Sequence, residues 1–153
     1  AQRGGSLIEV LIAVLIMGIG LLGIAAMQTT ALRNSQSSLE RSQAVIQSYA
    51  IFDAMRANRA AALGGEYNTG GWACAAPIGT SHAATDTIGW INSMKTTMGL
   101  AGDATTCGTI ACDGVTNICT VGIRWDDSRA ADAGTAGVEA GSNTRDVETV
   151  ARL

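Results

Sequence analysis

The sequence predicts an α+β chain: one long N-terminal helix, transmembrane and then amphipathic, packed against a small antiparallel β-sheet head. Three observations predict it. From Val10 to Met27, 18 consecutive residues carry no charge, and most are Leu, Ile, Val or Ala. As a helix that run rises about 27 Å, close to the hydrocarbon thickness of a bilayer. Helical spacing then continues with mixed polarity. Near the C-terminus, Asn117 to Trp125 and Arg145 to Leu153 alternate apolar and polar residues as half-buried strands do.

Taken in order, residues 7–28 form the membrane-embedded part of a stalk that runs to Leu63. In its upper half Leu32, Leu39, Ser42, Val45, Ile46, Tyr49 and Phe52 share one face, and Arg33, Gln36, Glu40, Gln43 and Gln47 the other. The first face is expected to be buried under the sheet and the second to be wet. Asp53 and Arg56 fall on the apolar side and are placed to pair at i, i+3. Gly64 and Gly65 stop the helix, giving a rod of about 85 Å. The head then occupies residues 64–153.

Glu66 to Thr80, with glycines and the only proline, Pro77, is expected to be a loop. Thr85 or Asp86 is placed to cap a second helix reaching Met98, with Ile88, Ile91, Met94 and Met98 on one side and Gly99 at its end. Asp113-Gly114 is a hairpin-type turn. In the strand that follows, Cys119, Val121, Ile123 and Trp125 face one way. Asp126 to Asn143 is a polar, Ala/Gly-rich surface excursion, and Val147, Thr149, Ala151 and Leu153 form one face of the last strand.

Composition narrows the function. Charged residues are only 15% of the 153, and the net charge is −3, so no basic face is available for nucleic acid. Arg3 ahead of the apolar run holds that end in the cytoplasm and sends the head outward. Cys74, Cys107, Cys112 and Cys119 all lie beyond the membrane segment. Four cysteines in a small exported domain point to two disulfides, with three connectivities open. Free buried thiols and a zinc site are the rivals; tight C-x₂-C pairs are absent and His82 stands apart from the cluster.

The N-terminal run could serve as a cleaved secretory signal, with Gly23-Ile24-Ala25 as a small-x-small site. It is longer than an ordinary signal core, however, and it carries a carboxylate. An unpaired acid at the bilayer centre costs about 2.5–3.5 kcal/mol, so Glu9 asks for a partner or for the interface. The stretch Gly4-Gly5-Ser6-Leu7-Ile8-Glu9-Val10-Leu11 resembles the processing site of type IV pilins and type II secretion pseudopilins. Ile19 to Gln28 narrows the resemblance to minor pilins of the PilV (type IV pilus modification protein) kind.

That resemblance implies the type IV pilin fold. It also implies that residues 1–4 are the remnant of a leader, that prepilin peptidase cuts between Gly4 and Gly5, and that the new Gly5 amine is N-methylated. In a filament the Glu9 carboxylate would pair with the terminal ammonium of a neighbouring subunit. The family usually has Phe where this chain has Gly5. Implied partners are other minor pilins, the major pilin, a tip adhesin-like protein, the peptidase and the inner membrane. The chain would sit there as a single-pass protein, N-terminus cytoplasmic and head periplasmic, before reaching an extracellular pilus used for twitching motility and adhesion.

No catalytic constellation and no cofactor or metal site are expected. His82 is alone in a loop-like context. Asp126, Asp127 and Asp132 lack the spacing of a calcium loop. Trp72 and Trp90 are expected in the core rather than at a partner contact. Gly18, Gly20 and Gly23 weaken the helix by up to about 1 kcal/mol each and suggest a stretch able to unwind on leaving lipid. Two rivals to a minor pilin remain: a minor pseudopilin of a type II secretion system, and a membrane-tethered periplasmic binding protein or enzyme.

Overall fold

The computed structural model describes residues 7–99, 102–128 and 144–153. Helix α1 spans Leu7–Ala57, 51 residues and so about 76 Å long. It is unbroken through Gly18, Gly20 and Gly23, where an added Cβ would meet nothing within the chain. The stalk does not run as one helix to Leu63. It turns at Asn58 (φ −121°, ψ 49°) into the short α2, Arg59–Leu63, which Gly64 closes by donating its N–H to the Ala60 carbonyl (2.9 Å).

Helix α3 spans His82–Met98. Its cap lies four residues before Thr85, at Ser81, whose Oγ accepts the Ala84 N–H at 3.1 Å. Gly99 ends it as expected. Ile91 and Met94 are wholly buried and Met98 nearly so, with Trp90 beside them in the core.

Three strands follow: β1, Cys107–Asp113; β2, Ile118–Trp125; β3, Arg145–Arg152. They form one antiparallel sheet in the order β1-β2-β3. Strand β1 carries only one large aliphatic residue, Ile110, and its sequence does not announce it. The turn after it is a four-residue loop, 114–117, rather than a two-residue Asp-Gly hairpin. The Asp113 carboxylate accepts from the Val115 N–H and the Thr116 hydroxyl, both at 2.8 Å, and Asn117 takes the left-handed conformation (φ 57°). These bonds hold the Asp113 carboxyl below its usual range, the Thr116 hydroxyl contributing most.

In β2 the expected inward set Cys119, Val121, Ile123 and Trp125 is at most 1% exposed. In β3, Val147, Thr149 and Ala151 turn inward while Asp146, Glu148, Val150 and Arg152 stay exposed. The core lies between the inner sheet face, α3 and the upper half of α1, with α3 rather than the sheet packed most extensively on α1. Gly108 lets β1 lie close against α3: a Cβ there would fall 2.5 Å from the Trp90 ring.

One expectation is reversed. The face of α1 that the head covers carries Glu40, Ala44, Gln47, Ser48, Ile51, Phe52 and Met55. Of the apolar face expected to be buried, only Phe52 is; Leu39, Ile46 and Tyr49 are more than half exposed. Small residues decide it. Ala44 and Ser48 let neighbours approach the helix closely, and the polar side chains among them find partners. The Gln47 amide donates to Ser93 Oγ (2.8 Å), and Trp90 Nε1 donates to the Gln47 carbonyl (3.0 Å).

Candidate functional site

The candidate site is the surface of α1 that the head leaves bare. Every apolar residue from Leu7 to Met27 is exposed, and α1 is long and apolar enough there to cross a membrane. Above that span the bare strip continues through Leu32, Leu39, Ile46 and Tyr49, on the side of the helix away from the core. The exposed pair Asp53–Arg56 (2.7 Å) forms as expected near its upper end. A contiguous apolar strip of this length is a surface built to be covered.

Glu9 lies in the first turn of α1, where a carboxylate also complements the helix dipole. No ion-pair partner for it exists among the described residues. The helix therefore presents one acid on an otherwise apolar cylinder, a group that an incoming cation would neutralise at little cost in lipid. Gly4 and Gly5 lie outside the described residues.

The cysteines pair as Cys74–Cys107 and Cys112–Cys119. The first staples the loop before α3 to β1, where Ala73 and Gly108 also exchange backbone hydrogen bonds (2.7 and 3.0 Å). The second joins directly opposed residues of β1 and β2. That leaves none of the four for a metal. Trp72 is half-buried beside Gly122, with the Arg124 guanidinium 4.0 Å over its ring. Trp90 is core.

Two concavities flank α3. One, ≈220 Å³, runs between α1 and α3 and is lined mainly by Gln47, Ala50, Ala54, Asp86, Gly89 and Ser93. The other, ≈260 Å³, lies under the loop at Tyr67, Asn68, Pro77 and Ile78. Between them the Tyr67 hydroxyl donates to Asp86 Oδ2 (2.5 Å) and accepts from the Asn58 amide (3.4 Å). Burial first, then the bond to Asp86, pushes the phenol up to about 12. His82, which opens α3 rather than sitting in a loop, is exposed, with Nε2 4.0 Å from Asp86 Oδ2. These contacts tie the α1–α2 turn to α3; they do not assemble a nucleophile with a base.

At the other end of α3, burial raises the Asp103 carboxyl but hydrogen bonds from Thr106 and Thr105 outweigh it, bringing it down to about 2. The buried Lys95 ammonium donates to the Asp103 carbonyl. Of the three acids weighed for calcium, Asp127 is held by Arg145 at 2.7 Å, Asp126 accepts the Ser128 N–H, and Asp132 lies outside the described residues. Among the described residues no three His, Cys, Asp or Glu side chains gather as a metal site. What sequence reasoning missed is the Ser37–Asp127–Arg145 cluster; nothing in the linear spacing signals it, because its members come from α1, the segment after β2 and the start of β3.

No family model, no curated protein and no solved structure matches this chain.

Proposed function

We propose that the chain is a minor pilin of the PilV kind, a structural rather than catalytic subunit that helps prime a type IV pilus and sits near its tip. The observation that carries this reading is the bare apolar strip of α1, which runs past the membrane span and along the length of the head to Tyr49. A simple membrane tether has no use for Leu39, Ile46 and Tyr49 outside lipid; a subunit that must stack its helix against others does. The resemblance of Gly4 to Gln28 to pilin sequences supports the same assignment.

In this reading Gly5 becomes the methylated N-terminus. Glu9 pairs with the corresponding amine of a neighbour, so that two charges enter an apolar bundle as a neutral pair. Glu9→Val should therefore insert into the inner membrane normally and fail to enter filaments. Normal piliation by that variant overturns the role given to Glu9. Mass spectrometry of the membrane-extracted chain should find a methylated terminus at Gly5; an intact Arg3 from peptidase-competent cells removes the proposal. A deletion strain separates the two machines: lost twitching fits a pilus, and lost secretion of exoproteins assigns the chain to a pseudopilus instead.

A further inference from the structure

Asp127 is 1% exposed, and its charge is answered from two directions. Arg145 Nη1 donates to Oδ2 at 2.7 Å and Ser37 Oγ donates to the same oxygen at 2.8 Å, with Arg145 Nη1 3.5 Å from Ser37 Oγ. The three residues come from α1, from the segment just after β2, and from the first position of β3. We propose that Ser37, Asp127 and Arg145 form a latch. It fastens the membrane-proximal rim of the head to the stalk and sets where the bare part of α1 ends.

The placement supports this. Residues 7–36 of α1 are all exposed, and Ser37 is the first that is not. The first buried positions are Glu40 and Ala44, one and two turns further on, with Gln43 partly covered between them. Above them the head has a second fastening, made by α3: Gln47 to Ser93, and Trp90 to the Gln47 carbonyl. The head is thus held at two levels: these fastenings lie ten residues apart on α1, nearly three helical turns. A carboxylate this deeply buried is tolerated only while its cation and hydroxyl face it. Loss of the pair therefore opens the rim as a unit and uncovers the helix from Ser37 to Ala44, while the α3 fastening stays closed. Opening leaves those turns bare on all sides and available to whatever packs on the stalk.

The inference concerns the contact of head with stalk within one chain and does not depend on assembly into a pilus. It is tested on the full chain in detergent micelles by the labelling rate of a thiol placed at a buried α1 position. Ala44→Cys reports the lower level and Ser48→Cys the upper; both sites are 0% exposed. Asp127→Asn should raise the labelling of Ala44→Cys by on the order of tenfold and leave Ser48→Cys unchanged. Ser37→Ala, which keeps both charges and so the fold, should give a smaller rise of the same selectivity, and Arg145→Lys, which keeps the cation, should retain most of the protection of the unaltered chain. Equal labelling with and without the latch, or a parallel rise at both reporters, overturns the proposal.

Discussion

Tyr67 illustrates what a single side chain contributes in this head. Its phenol is buried, donates to a carboxylate and has its pKa raised to about 12 from an ordinary value of 10.0. The neutral form is thus favoured in the folded state, and below pH 10 both states hold the proton, so the contribution is fully present. As pH rises from about 10 through about 12 the unfolded chain ionises first and stability falls, by on the order of 2 kcal/mol across the window. Tyr67→Phe should lose this alkaline decline, although it is less stable at neutral pH for want of the bond to Asp86. Urea unfolding of both proteins on either side of pH 10 checks it; identical pH profiles refute the assignment.

At the scale of elements, two disulfides and one glycine shape the head: one bridge ties the loop before α3 to β1, the other ties β1 to β2, and Gly108 lets β1 lie against α3. The Cys74–Cys107 bridge spans 33 residues of sequence and Cys112–Cys119 only 7. Loop-closure entropy makes the longer one worth more, by about 1.4 kcal/mol in the chain-entropy account. It is also the bridge that pins the loop carrying Trp72 to β1. Replacing Cys74 and Cys107 by Ser should therefore lower the melting temperature further than replacing Cys112 and Cys119. The reverse order in calorimetry would show that the hairpin staple, not loop closure, dominates. Gly108 has no substitute of comparable size, since the Trp90 ring occupies the space that any Cβ needs.

For the molecule as a whole, the question is which side of α1 belongs to the fold. Ile51 is 2% exposed and Ile46 56%, though both are isoleucines on the same helix, less than two turns apart. Ile51→Ala should cost about 2–5 kcal/mol of head stability, the usual loss for emptying a core site. Leu39→Gln and Ile46→Gln should each change it by less than about 0.5 kcal/mol. If the same two changes leave unfolding untouched and abolish incorporation into filaments, the strip serves association and not folding. Equal losses for Ile46 and Ile51 in denaturant titrations would restore Ile46 to the core.

Several features were legible in the residues themselves because they repeat locally. The uncharged run from Val10 to Met27, the alternation that buries Cys119, Val121, Ile123 and Trp125, and the apolar side of α3 each announce an element without reference to the rest of the chain. Periodicity reports that a face is apolar; it does not report what covers that face. Hence the sequence alone located the stripe of Leu39, Ile46 and Tyr49 but misjudged its neighbour, since burial by the head and burial by another molecule leave the same pattern. Tertiary structure alone chose the opposite face, because Ala44 and Ser48 are small enough for α3 and the sheet to come close. It also chose one of three disulfide connectivities, recruited the inconspicuous β1 around Gly108, and brought Ser37, Asp127 and Arg145 together across the chain. Those are decisions about distance between segments, and no local pattern encodes them.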